Sequence, residues 1–204
     1  SSGLYRVNLD DNSVKRFHHD SKDSQSLSAN SITDISKDSD GTLWVSTYHN
    51  GLNRLNADGS FTRYTANSPL DNSGPSINHI LQIVEDEQWM LWLAAYGGGI
   101  NLFDPHSETF THIHHDPKSN HSISSDLAWI LFIDSKENLW VGTQSAGLNV
   151  LTKEKRQQNV FEFKHLDVKD GMKSRTAYGI SEDGEGNIWF SSNKGISRYS
   201  SLSQ

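Results

Sequence analysis

The sequence holds ten histidines and no cysteine, so metal or acid–base chemistry would fall to imidazoles and carboxylates. His112 and His114 stand two residues apart and would share one side of a strand, as two ligands to one metal can. His115 follows them. The pair His18-His19, however, repeats His114-His115 ninety-six residues earlier. That recurrence reads as a solvated loop pair, not as a metal site. Asp38-Ser39-Asp40-Gly41 opens like a calcium loop but lacks the third acidic position and the bidentate glutamate further on, so it reads as a turn. His79 with Asp126 or Arg175 is the acid–base combination that a channel-mouth enzyme could use. No G-x-S-x-G, H-E-x-x-H or phosphate-binding glycine loop occurs. The reading is therefore of no catalytic residue, no metal site and no cofactor.

These residues sit in a repeat. Trp44, Trp92, Trp140 and Trp189 are 48, 48 and 49 residues apart. An aspartate precedes each by six residues: Asp38, Asp86, Asp134 and Asp183. Leu or Ile comes directly before each Trp, and a Gly followed by Leu or Ile comes after, at Gly51, Gly99, Gly147 and Gly195. Because the Asp recurs in every unit, it is read as structural; a catalytic residue would be peculiar to one unit.

Within a unit, Leu43-Trp44-Val45-Ser46-Thr47 is short and rich in β-formers, which predicts a strand. Ile32–Ser36 predicts a strand before it, and Asp38–Gly41 the turn between. Gly51–Asn56 and Phe61–Tyr64 predict two more, joined at Ala57-Asp58-Gly59. Four strands at this period predict an all-β fold, a β-propeller of four-stranded antiparallel blades around a channel. Trp44 and Ser46 share a face, as do Trp92 and Ala94, Trp140 and Gly142, and Trp189 and Ser191. A large residue beside a small one lets neighbouring sheets interdigitate. A β-sandwich with fortuitous Trp spacing is the alternative.

The expected organisation is one partial propeller of roughly four blades. Residues 1–19 form the second half of a blade, and 27–65, 77–114 and 123–166 form whole ones. Residues 176–200 form a blade without its outer strand. The third blade carries a charged turn, Lys153-Glu154-Lys155-Arg156, between its third and fourth strands. Three assemblies are open: part of a larger ring, which is favoured; a closed four-bladed ring with Ser13–Phe17 beside Tyr199; or two copies sharing one ring.

Composition bounds the partners. Formal net charge is −7 and the 18 Lys and Arg are scattered, which argues against nucleic acid. Mean hydropathy is −0.64, and no apolar run is long enough to span a membrane. Any membrane contact would come through flanking segments. Asn120-His121-Ser122 is formally a glycosylation sequon.

Binding is expected where blades differ. The loops after the Trp strands give Tyr48, His49, Tyr96, Gln144, Asn193 and Lys194. The starts of the inner strands give His79, Asp126 and Arg175 on the same propeller face. Such groups can stack on and hydrogen-bond a small polar ligand such as an oligosaccharide; variable surface loop is the competing reading.

The units resemble the two-component regulator propeller repeat. The match lies in Ser26–Ser31, Asp38-Ser-Asp-Gly-Thr-Leu-Trp44, Ser46-Thr47 and Gly51-Leu-Asn53, and again in Asp134–Trp140, Gly142-Thr143 and Gly147-Leu-Asn149. Trp89 and Glu137 depart from it at the turn glycine, as does His49-Asn50 where two glycines are expected. The resemblance implies seven-bladed propellers in the periplasmic part of membrane sensors whose output is a histidine kinase or a diguanylate cyclase. No output domain lies in this chain, so the implied role is sensing, with self-association possible. A lyase-like propeller enzyme and a purely structural or dimerisation propeller are the alternatives.

Overall fold

The computed structural model describes residues 3–66 and 72–200. It begins with a two-stranded sheet, β1 (Leu4–Val7) and β2 (Val14–Phe17). Three four-stranded antiparallel sheets follow. The first holds β3 (Ile32–Lys37), β4 (Leu43–Thr47), β5 (Leu52–Leu55) and β6 (Phe61–Tyr64). The second holds β7 (Ile80–Glu85), β8 (Leu91–Ala95), β9 (Gly99–Asp104) and β10 (Thr109–Ile113). The third holds β11 (Ala128–Ile133), β12 (Leu139–Thr143), β13 (Leu148–Leu151) and β14 (Lys164–Leu166). A three-stranded sheet of β15 (Gly179–Glu182), β16 (Ile188–Ser192) and β17 (Gly195–Tyr199) ends the described chain. Each sheet is a blade or part of one, and each of the last four carries one of the repeating tryptophans. Strand β2 pairs with β1 and β17 pairs with β16. Ser13–Phe17 therefore does not serve as the outer strand beside Tyr199.

The blades stack through both faces. Trp44, Leu52 and Tyr64 meet Ile83, Leu91 and Leu93 of the next blade in one apolar layer. Trp92, Ile100 and Ile113 meet Leu131, Leu139 and Val141 in the second. Trp140, Leu148 and Leu166 meet Ala177, Ile188 and Phe190 in the third. The small residue two after each Trp is needed for this approach. A Cβ on Gly142 would come 2.5 Å from Ile130 Cγ2 and 2.9 Å from Ala177 Cβ, closer than packed side chains allow.

The repeating aspartate closes the β-turn and holds the indole. Asp38, Asp86, Asp134 and Asp183 each accept the Nε1–H of their own tryptophan at 2.6–2.7 Å. The other carboxylate oxygen accepts the backbone N–H four residues on, from Thr42, Met90, Asn138 and Asn187. These donors, with the Trp189 N–H foremost, hold the Asp183 carboxyl well below the usual carboxylate range.

The third turn residue after each Asp has positive φ: Gly41 at 89°, Trp89 at 60°, Glu137 at 62° and Gly186 at 79°. The two non-glycine residues thus sit where a Cβ is strained.

One sequence expectation changes. Lys153–Arg156 is not a turn: Lys153–Gln157 forms a short helix, α1, capped by the side chain of Thr152. Its Arg156 is buried, and β14 starts only at Lys164. The paired histidines lie in loops, with His18, His114 and His115 exposed, and one ring of each pair bonds a backbone carbonyl. His19 Nδ1 donates to the Leu27 carbonyl at 2.9 Å, and His115 Nδ1 to the Ile123 carbonyl at 2.7 Å. A third imidazole, His112, donates from Nε2 to the Gly74 carbonyl at 2.9 Å. Among the described residues no cluster of three or more His, Cys, Asp or Glu could hold a metal ion.

Candidate functional site

One propeller face gathers rings from successive blades. Tyr48 and Tyr96 stand four residues after their tryptophans, where the second strand of a blade ends. Their backbone N–H groups bond the carbonyls of Ser31 and His79, at 3.0 and 2.9 Å, just before β3 and β7. That pairing turns both side chains toward the inner strands. His79 lies 4.0 Å from Tyr48, 5.3 Å from His49 and 5.1 Å from Tyr96, centroid to centroid. The row continues from Tyr96 to Trp129 at 5.6 Å and from Trp129 to Tyr178 at 5.9 Å. The rings meet tilted or edge-to-face, the arrangement their quadrupoles favour.

The arc is held at several points. Gln144 accepts the Tyr96 hydroxyl through its side-chain oxygen and the Thr176 hydroxyl through its backbone carbonyl. His79 Nε2 is closed off from solvent and has no hydrogen-bond partner among the described residues. Burial, and then the neighbouring His49, hold the His79 imidazole below its ordinary value of 6.5. An imidazolium at His79 would be desolvated and unpaired, which favours its neutral form.

Of the residues expected on this face, Tyr48, His49, His79 and Tyr96 come together, with Gln144 joined through Tyr96. The others make their contacts elsewhere. Asp126 accepts the His115 N–H at 2.7 Å and lies 3.7 Å from His114. In that position it does what Asn30 and Asn78 do, since each accepts the N–H of the incoming chain at 2.8 and 2.7 Å. Arg175 lies 3.8 Å from Asp167. Asn193 accepts the Ser174 hydroxyl at 3.0 Å, and Lys194 is exposed. Neither Asp126 nor Arg175 is bonded to His79, so no carboxylate orients that imidazole as a base.

Trp129 and Tyr178 were not among the expected residues. They occupy one repeat position, shared with Thr33 and Leu81, just before or within the first turn of the inner strand. In β3, β7 and β11 this is where the register shifts. Aligning the units on that position, rather than on the loops alone, would have shown aromatic residues in two of four.

The arc offers stacked ring faces, hydroxyl groups and imidazole nitrogens, with no carboxylate or cation among the ring partners. It can hold a neutral molecule that has apolar faces and hydroxyls.

Residues 26–49 match the family model described as two component regulator propeller. No curated protein matches the chain in sequence. Among solved structures, the extracellular domain of the hybrid two component system BT4673 from B. thetaiotaomicron aligns with a TM-score of 0.69 and 23% identity, over 98% of this chain and 34% of that one. The corresponding domain of BT3049 from the same organism gives 0.54 and 23%, over 97% and 30%. Virginiamycin B lyase from Staphylococcus aureus gives 0.66 at 15% identity, over 96% and 61%. The chain spans about a third of the two B. thetaiotaomicron domains, and at these identities the likeness is one of fold. Residues 26–49 are thus similar to a two component regulator propeller repeat, and the unit that contains them recurs in register along a chain that folds as a segment of a β-propeller.

Proposed function

We propose that this segment belongs to the extracytoplasmic sensor region of a membrane-bound two-component-type signalling protein. On this reading the aromatic arc receives a small polar ligand such as an oligosaccharide. The observation that carries the ligand reading is the unbroken run of rings from Tyr48 through His79, Tyr96 and Trp129 to Tyr178. The similarity to extracellular domains of hybrid two component systems supports the cellular setting. It also supports a periplasmic position, with any membrane attachment and output domain lying outside this segment.

The fold likeness to virginiamycin B lyase raises an enzymatic reading. Against it stands His79, an imidazole of the arc whose Nε2 is closed off from solvent and which has no acidic partner among the described residues to orient it. Self-association through the end blades is the structural alternative.

Titrating the protein with a panel of neutral oligosaccharides should quench or shift its tryptophan emission for at least one member, a change that Trp129→Phe should reduce, since Trp129 is one of six tryptophans. Tyr96→Ala should weaken that binding by about 1–3 kcal/mol, the scale of one lost stacking platform. A panel that leaves the emission unchanged, or binding unaltered in both Tyr96→Ala and Trp129→Ala, would sink the ligand reading.

A further inference from the structure

Beside the outer strand of the third blade lies an open cavity of about 610 Å³ that is lined by no residue of the arc. Its lining includes His115, His121, His165 and Lys169, together with Ser119 and Asn120, and no carboxylate. This is unusual in a chain of net charge −7.

The same loop in the first blade explains how the cavity arises. There Arg63 takes the place of His165, and its guanidinium fills the space, donating to the carbonyls of Ser26 and Asp23 at 2.7 and 2.8 Å. Asp23 and Gln25 stand where the third blade has Ser119 and His121. The third blade has thus lost an acid, gained an imidazole and exchanged a long side chain for a shorter one.

The hydrogen bonds fix the state of two of these rings. A carbonyl only accepts, so His115 carries a proton on Nδ1 for Ile123, and His165 carries one on Nε2 for Ser122, at 2.7 Å each. In the neutral rings the remaining nitrogens, His115 Nε2 and His165 Nδ1, are lone-pair acceptors and offer nothing to an anion. Adding one proton to each ring turns both into charged donors without moving them.

The carboxylates around the cavity lie outside its lining, and most accept backbone N–H groups. On the loop, Asp116 accepts the Lys118 N–H at 2.9 Å, and Asp126 faces His114 and the His115 N–H. Before β14, Glu162 is paired with Lys155 at 2.9 Å and also faces His121, and Lys164, the first residue of β14, lines the cavity and reaches Tyr199. After β14, Asp167 accepts the Lys169 N–H at 2.8 Å, and Asp170 accepts that of Asp167 at 3.0 Å.

We infer that this cavity is an oxyanion site, taking a phosphate group once its imidazoles are protonated. The group is either free phosphate or a phosphate monoester of a small organic molecule. The proposal is independent of the aromatic arc.

The test is a titration of the whole chain with inorganic phosphate, followed by NMR at about pH 5.5 and about pH 8, either side of the imidazole range. Shifts confined to His115, His121, His165 and Lys169 are expected at the lower pH. Binding at the higher pH should be at least about tenfold weaker, the loss of one charge-assisted hydrogen bond. His121→Gln and Lys169→Gln, both surface changes that leave the blade's apolar layers intact, should each weaken binding at the lower pH. Glycerol phosphate in place of phosphate separates the two sources: tighter binding points to a monoester, equal binding to the free ion. Equal phosphate affinity at both pH values, the same response around His19 and Arg63, or no response at all would overturn the assignment.

Discussion

The second and third blades solve one problem in two ways. Each holds a buried aspartate that fixes the tryptophan of its blade, and each aspartate can accept four donors. In the third blade all four are local: two backbone N–H groups, the Trp140 indole, and the Asn138 side chain at 3.0 Å from Asp134. In the second blade the residue equivalent to Asn138 is Met90, which has no such donor. The missing bond comes from Arg156, seventy residues away on α1, at 2.5 Å from Asp86. The same guanidinium pairs with Glu87 and donates to the Glu137 carbonyl at 2.7 Å. The fourth blade follows the third, with Asn187 donating to Asp183. A repeat can therefore complete its turn within itself or by borrowing from a neighbour, and borrowing ties two blades together.

The largest effect should come from cutting that tie. Arg156→Met leaves Asp86 buried and short of a donor, and should cost about 3–5 kcal/mol in urea unfolding, as broken buried pairs do. Adding Met90→Asn should return a sizeable part of the loss, since it supplies the local donor the third blade already has; no recovery would break the comparison. The mirror change, Asn138→Met, puts the second blade's side chain into the third without an arginine to compensate. It should cost about 1–3 kcal/mol, the scale of one unsatisfied buried group.

The turn itself separates the two blades less. Both carry a strained residue where the first and fourth carry glycine. Trp89→Gly and Glu137→Gly should each stabilise by about 1 kcal/mol through relief of positive φ, seen as a higher urea midpoint at constant slope. Glu137→Gly should gain less, because it also removes the partner of Lys153.

A smaller effect concerns a group that neither blade supplies with a partner. His79 Nε2 sits between the first and second blades unbonded, and its neutral form is favoured in the fold. The unfolded chain takes up the proton first as pH falls. Stability is thus full above 6.5 and declines as pH drops through that value toward the lower folded-state value. His79→Gln should flatten this slope; an unchanged slope would show that His79 is not its source.

The end of the stack shows what a missing neighbour does to the same unit. Trp44, Trp92 and Trp140 are 1%, 0% and 4% exposed, whereas Trp189, with its indole bonded to Asp183 in the same way, is 39% exposed. At the other end Ile35 is 48% exposed, while its equivalents Ile83 and Leu131 are 4% and 2%. Only two strands, β1 and β2, precede it. Burial in a propeller is conferred by the adjoining blade, not by the unit.

Much of this was legible in the residues, for a reason that particular positions make plain. The Asp-to-Trp spacing, the Gly41 turn and the alternation of Trp44 with Ser46 all concern atoms within one hairpin. They recur, so each unit checks the others. Trp89 and Glu137 stood out as departures at a position that needs positive φ. The arc was legible only in part. Tyr48 and Tyr96 lie in loops that vary between blades, but Trp129 and Tyr178 lie at strand starts, where an aromatic residue reads as core.

The sequence by itself determined the blade: four short strands, their turns, the apolar character of both faces and the repeated carboxylate–indole pair, because contacts within a hairpin are set by local spacing. Only the tertiary structure decided that Lys153–Gln157 is helical, that Arg156 completes the second blade's turn, and which rings form a continuous arc. Those contacts join residues dozens of positions apart, and they exist because stacking brings neighbouring blades within reach of a single side chain.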